Sequence, residues 1–398
     1  MAATGHAVSA SVERATPAGT SHAARRSGEA RASQGRADSR AISSQGRPSG
    51  ETPGFPQSAE SRASSLPDWL RRIHPATWLL ALFLLFLPAF ANDFIQLQVF
   101  GWAFVLGMIA LSLMFLAGYG GMVSLVQMTV AGCAGYMYAI FGHSAFMEIS
   151  LGWPWWATIP VALIIAVIFG TVSGALAVRT EGIYTIMITL AIASAFFYFT
   201  RQNYTIFNGF SGFNAVRPPA LFGVDWKQAT PFYYLSLFFA TASYLVVLYV
   251  SRSSFGLALQ GVRDNARRME ALGFNVTAHR IAAYSFAAVI AGIAGILLTW
   301  LNGQISPGTA GVGPVIDILI IAVVGGLRHP IGPFIGAIIY VVLRTFALDA
   351  LVAVGLPPER FQFLIGLGFL LIVLFSPDGV LGLWSRWRAR LRLRRTEP

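Results

Sequence analysis

Trp102-Ala103-Phe104-Val105-Leu106-Gly107-Met108-Ile109-Ala110-Leu111-Ser112-Leu113-Met114-Phe115-Leu116-Ala117 closes an apolar run that begins near residue 95 and holds no charged side chain. A helix needs ~20 such residues to cross the hydrocarbon core of a bilayer, and this run is long enough. The whole chain has the same character. Of its 398 residues 55% are hydrophobic and 11% charged, against roughly 25% charged in an average soluble domain. That composition excludes a soluble globular enzyme, because too little polar surface exists to face water.

Working outward from this run, ten apolar stretches fall near residues 76 to 91, 95 to 117, 123 to 142, 155 to 178, 184 to 200, 231 to 251, 281 to 301, 315 to 327, 331 to 349 and 361 to 376. The expected fold is an all-α polytopic membrane protein with about ten transmembrane helices and a disordered N-terminal tail. Charge placement supports this order. The net charge of +11 lies in three segments: residues 1 to 75 carry ten arginines against six acids, residues 252 to 280 five against two, and residues 386 to 398 six against one. Basic residues mark the cytoplasmic side of short loops, so both termini and the 252 to 280 loop are expected there. Basic residues interleaved with aromatics on a folded domain, the mark of a nucleic-acid surface, are missing, and no nucleic-acid partner is expected.

Residues 1 to 66, rich in Ala, Ser and Arg, show no apolar periodicity and no secretory-signal core. They read as a cytoplasmic tail, either docked on anionic membrane lipid or simply solvated. The transmembrane domain is expected over residues 76 to 385, followed by a basic cytoplasmic tail over 386 to 398. Trp153, Trp155 and Trp156, and again Trp384 and Trp387, have the composition of interfacial anchors. Gly and Pro interrupt residues 118 to 135 and 303 to 327, which permits broken or re-entrant helices. The small residues Ala291, Gly292, Ala294 and Gly295 offer a face for close helix packing. Cys133 is the only cysteine, so neither an intrachain disulfide nor a thiolate metal cluster can form, and no metal site is expected.

The loop over residues 252 to 280 carries the most information. Val262, Ala266, Met269 and Leu272 or Gly273 recur at helical spacing, predicting one short amphipathic helix that Gly273 ends as a C-cap. Such a helix either lies on the bilayer surface or docks on a soluble partner. Its residues Gln260 to Asn275 resemble the coupling loop of permease subunits of ATP-binding-cassette importers. Glu270-Ala271-Leu272-Gly273 matches the short motif seated in the ATPase cleft, and Arg263-Asp264-Asn265 matches the form found in LivM-type permeases of branched-chain amino-acid importers. The resemblance continues in order through Gly118 to Leu125, Gly182-Ile183-Tyr184, Ala291 to Gly295, Val324 to Leu327 and Ser376 to Gly382. It departs at Gln127, where a His is usual, at Ala193 to Phe196, where an acid is common, and at Asn208 to Gly212, where a Thr-Gly-Gly-rich run is usual.

This resemblance implies a bacterial inner-membrane subunit that works with a second permease chain or its own copy, two ATPase subunits and an extracytoplasmic solute-binding protein. It implies that Arg263, Asp264, Asn265, Arg267, Glu270, Ala271 and Gly273 serve ATPase coupling. Branched-chain or related amino acids are the implied substrate, with urea, short amides or small carboxylates as alternatives. ATP would bind only the partner subunits. The chain lacks a Gly-x-x-x-x-Gly-Lys-Ser/Thr loop, and no bound cofactor or catalytic residue is expected.

Polar groups within apolar runs are costly and point to a pathway. Ser124, Gln127, Thr185, Thr189, Asn302 and Asp317 are the candidates for its lining. For the hydroxyls the alternative is a bond back to their own helix, and for Asp317 it is capping of a helix start. His143, Glu148, Arg201, Arg217, Asp225 and Lys227 fall in outer loops, either steering a binding protein or merely solvated. An ATP-independent secondary transporter is the rival reading, and it ordinarily needs buried ionisable pairs, of which Asp317 and Arg344 are nearly the only candidates.

Overall fold

The computed structural model describes residues 82–144, 150–219, 226–353, 366–367, 379 and 382. The tail over residues 1 to 66, residues 76 to 81 of the first expected crossing, the tenth apart from residues 366 and 367, the Trp384 and Trp387 anchor and the basic end lie outside the described residues, as do Glu148 and Asp225. The rest of the first crossing is a short helix over residues 82 to 86 that runs into a 3-10 turn, Leu87–Ala89.

Among the described residues the fold is carried chiefly by helices α1 (Ile95–Tyr119), α2 (Gln127–Phe141), α3 (Trp155–Ala177), α4 (Ile183–Gln202), α5 (Ala229–Arg252), α6 (Ser254–Asp264), α7 (Ala266–Ala271), α8 (Val276–Asn302), α9 (Val312–Gly325) and α10 (Gly332–Ala353). Of these, α1, α3, α4, α5 and α8 are long and apolar enough to cross a membrane. They coincide with the second, fourth, fifth, sixth and seventh expected crossings. The third, eighth and ninth correspond to α2, α9 and α10, and α2 and α9 hold only 15 and 14 residues. At ~1.5 Å per residue neither reaches across ~30 Å of hydrocarbon.

Both interruptions have local causes. The α1 helix opens and closes in π-helical turns, Ile95–Gly101 and Phe115–Tyr119, and the chain then turns at Gly121, whose φ of +68° suits glycine. Residues 120 to 126 are irregular, so the third expected crossing starts as a helix at Gln127 rather than near residue 123. After α8 the chain reverses at Gly303, forms strand β2 (Gln304–Ile305) and a 3-10 turn over Pro307–Ala310, and enters α9. Strand β1 (Phe213–Asn214) pairs antiparallel with β2, Phe213 opposite Ile305. With the Val216 N–H donating to the Gly303 carbonyl at 2.9 Å, this ties the 203 to 219 loop to the α8–α9 break.

The centre of the bundle is α8, whose Ala283, Ala287, Ala288, Ala291, Ala294 and Gly295 are buried. A Cβ at Gly295 would overlap the backbone of Ala131 in α2, and one at Gly170 in α3 would strike Ala288. Helices touch nearly backbone to backbone here, which is how packing replaces hydrophobic driving force in lipid. Trp155 and Trp156 are exposed at the start of α3, as an interfacial anchor requires.

Candidate functional site

The segment over residues 251 to 275 is organised by its side-chain caps. Ser253 caps α6 by accepting the Gly256 N–H at 3.3 Å, and the Gln260 side-chain amide donates to the Ser251 carbonyl at 2.9 Å. Leu259 and Val262 are buried, holding α6 to the bundle. The single helix expected through Val262, Ala266, Met269 and Leu272 is instead two. Asn265, extended at φ −159° and ψ 96°, breaks the chain between them and caps α7 by accepting the Arg268 N–H at 2.9 Å. Short Asn side chains compete for backbone donors in this way, and periodicity alone does not register it. The Gly273 end is as the C-cap rule requires, with φ +87°.

No residue of α7 is buried. Glu270, Ala271 and Gly273 are exposed, and Leu272 is 67% exposed beside an exposed Phe274. Two large apolar side chains thus stand at the tip of a charged loop, flanked by Arg267 and Arg268. Asn275 closes the unit by capping α8, accepting the Ala278 N–H at 2.9 Å.

Arg263 points the other way. Its Nη1 donates to the Gly118 carbonyl at the end of α1, while Nε and Nη2 donate to Asp264 Oδ1 at 3.0 and 2.9 Å. Asp264 therefore holds the guanidinium fork against the α1–α2 break, and a side chain at Gly121 would collide with it. Hydrogen bonds to charged groups contribute ~1.5–3 kcal/mol. Arg263→Ala is accordingly expected to free the end of α6 from the α1–α2 break without loss of membrane insertion, seen as faster backbone hydrogen exchange over residues 118 to 126 in membrane-resident protein. Unchanged exchange there would show that Arg263 does not hold this break. A second ion pair, Arg280 to Glu181 at 3.8 Å, joins the start of α8 to the α3–α4 turn.

The pathway candidates divide. Ser124, Gln127, Thr185 and Thr189 are buried within the bundle. Gln127 Oε1 accepts from Ser112 of α1 at 3.2 Å, Thr185 donates to the Thr180 carbonyl at 2.8 Å, and Thr189 donates to the Thr185 carbonyl while accepting the Leu125 N–H at 3.1 Å. The Ser112 bond joins α1 to α2 and the Leu125 bond ties the segment ahead of α2 to α4, whereas Thr185 bonds back to its own turn. Asn302 and Asp317, in contrast, share a cavity of about 280 Å³ with Trp102, Tyr340 and Arg344. Capping does not explain Asp317: α9 starts behind Gly311 with no side-chain cap and no acid in its first turn. Trp102 and Tyr340 escaped the sequence reading because nothing local distinguishes an aromatic facing a cavity from one in the core.

At the outer loops, the Arg201 guanidinium lies over the Phe197 and Phe210 rings at 5.9 and 5.7 Å, and the Arg217 carbonyl accepts from Tyr138. Among the described residues no group of three or more His, Cys, Asp or Glu could hold a metal ion.

Comparison with known proteins gives a family match over residues 95–373, to the branched-chain amino acid transport system / permease component. The chain is 22% identical over 296 residues to the high-affinity branched-chain amino acid transport system permease protein LivM of Salmonella typhimurium, and 23% identical over the same length to LivM of Escherichia coli. Each match covers 69% of this chain and 65% of the relative, so the chain spans just under two thirds of these proteins. A shorter match, 33% identical over 92 residues, covers 23% of the chain and 29% of the probable branched-chain amino acid transport permease protein LivH of Methanocaldococcus jannaschii. No solved structure matches the chain.

Proposed function

Since the chain belongs to the family of branched-chain amino acid transport system permease components, we propose that it is a permease subunit of an ATP-driven importer for branched-chain or related amino acids. In this reading it is a multi-pass subunit of a bacterial inner membrane with both termini in the cytoplasm. It pairs with a second permease chain or its own copy, with two ATPase subunits that bind and hydrolyse ATP, and with an extracytoplasmic solute-binding protein. The observation that carries the proposal is the exposed, doubly capped α6–α7 unit, whose tip presents Glu270, Leu272 and Gly273, covered by none of the described residues.

The mechanism follows from the two ends of that unit. Closure of the ATPase pair on ATP pushes α7, and the Asn265 break lets α7 turn against α6. Buried Leu259 and Val262 carry the displacement into the bundle, while Arg263 pulls on the Gly118 carbonyl, where α1 gives way to the irregular 120 to 126 segment. Bundles with two discrete packings convert such small inputs into rigid-body rocking. The short helices α2 and α9 leave non-helical backbone inside the bundle, which is tolerated where it lines a cavity or is covered by protein.

Affinity purification of the tagged chain from its native membrane is expected to recover an ATPase subunit, and uptake of labelled leucine is expected to cease when ATP is withdrawn. Absence of any ATPase partner together with ATP-independent uptake would favour the secondary-transporter reading. Removal of residues 2 to 60, a stretch rich in Ala, Ser and Arg with no apolar periodicity, is expected to change uptake by no more than about twofold, as terminal extensions of such composition commonly tolerate change. Transport assays on the truncated chain test this, and a complete loss would make the tail a regulatory element.

A further inference from the structure

The cavity at the α8–α9 break contains one acid and one base that do not satisfy each other. Asp317 projects from α9, and Tyr340 and Arg344 project from α10 one helical turn apart. All three line the same cavity. Yet among the described residues neither Asp317 nor Arg344 makes an ion pair. Arg344 is instead held over the Trp102 ring, 5.9 Å from its centroid, a cation–π distance. Asn302, at the end of α8, adds an amide to the same space.

Asp317 is half-buried and Arg344 is exposed at the rim of this space, and opposite charges on apolar helices are expensive unless paired. Here they flank an open volume instead of closing on each other. The complementary occupant carries both charges itself. Leu106, Met128, Leu298 and Ile318 give the wall an apolar part, beside Ser306 and Thr309. At about 280 Å³ the space is at the small end of the ~300–1,000 Å³ usual for small-molecule pockets. It also sits beside an interrupted helix, where transported solutes commonly bind.

We propose that this cavity binds the α-ammonium and α-carboxylate groups of an amino acid in transit, the ammonium at Asp317 and Tyr340 and the carboxylate at Arg344 and Asn302, with the side chain against the apolar wall. The proposal rests on the permease reading and narrows it. Urea and short amides carry no charge for either residue, and a simple carboxylate satisfies Arg344 alone.

The sole native cysteine, Cys133, is buried at 4% exposure, so a thiol introduced as Ser306→Cys reports on the cavity. The full-length chain, with whatever subunits co-purify, is labelled in lipid vesicles with a methanethiosulfonate reagent. Saturating leucine is expected to slow labelling by about tenfold, whereas 4-methylpentanoate, 3-methylbutylamine and urea, each lacking one or both charges, leave the rate unchanged. Asp317→Asn and Arg344→Gln are each expected to abolish protection by leucine. Protection by a singly charged analogue equal to that by leucine, no protection by leucine, or protection that survives in both variants would overturn the proposal. The analogue series in the otherwise unaltered chain stands even where a variant fails to assemble. Because labelling needs no ATP, parallel uptake assays separate the two ideas. ATP-driven leucine uptake without protection sinks the site alone, and protection without any ATP dependence sinks the importer reading alone.

Discussion

Glu270→Arg is expected to abolish ATP-driven uptake while the bundle inserts and packs as before. The α7 helix has no buried residue, and among the described residues the exposed Glu270 makes no ion pair, so reversing its charge is expected to leave the bundle undisturbed. What it alters is the surface offered to another protein, where a like-charge juxtaposition costs several kcal/mol. Gly273→Trp should act at the same place by a different route. Its φ of +87° strains any L side chain, and nothing within 4 Å of a Cβ would resist the added bulk, so the indole projects into the space a partner must occupy. Uptake in vesicles, together with recovery of the ATPase on purification, checks both. Wild-type uptake from either variant would end the coupling role assigned to this tip.

The second large effect concerns assembly. Gly295→Val is expected to remove nearly all correctly packed protein from the membrane. Added core bulk commonly costs ~1–3 kcal/mol when side chains can yield, but the obstacle at Gly295 is the Ala131 backbone itself, which cannot rotate aside. The α2–α8 contact must then open along its length. Gly313→Ala is the control, since a Cβ there meets nothing within 4 Å. The yield of monodisperse protein after detergent extraction is the measurement. Equal yields from the two variants would show that α8 does not depend on this close approach.

The membrane-spanning character of the chain and the close-packing face of α8 were legible because both are local. Apolar length identifies a span, and Ala291, Gly292, Ala294 and Gly295 fall on neighbouring turns of one helix. Gly273 was legible for the same reason, as a glycine following the last periodic residue. The Asn265 break was not, because periodicity counts apolar positions and says nothing of a cap that takes the backbone out of the helix. Ser124, Gln127, Thr185 and Thr189 were visible as polar residues in apolar runs, but whether a hydroxyl faces a pathway or clamps two helices is decided by its neighbour across the interface. The cavity was least legible. Trp102, Asn302, Asp317 and Arg344 come from four different helices, and only tertiary packing brings them to one volume.

The lengths of the helices have a further consequence. At 27 residues α8 is about 40 Å long, well beyond the ~30 Å of a bilayer's hydrocarbon core, whereas α2 and α9 are each little more than half that length. An overlong helix set in lipid relieves the mismatch by tilting, but α8 and α2 are mostly buried among other helices. The difference in length is therefore met by protein and not by acyl chains. The slant of α8 is fixed by the small residues through which it lies against α2 and α3, and a thicker or thinner bilayer has little purchase on the middle of the bundle.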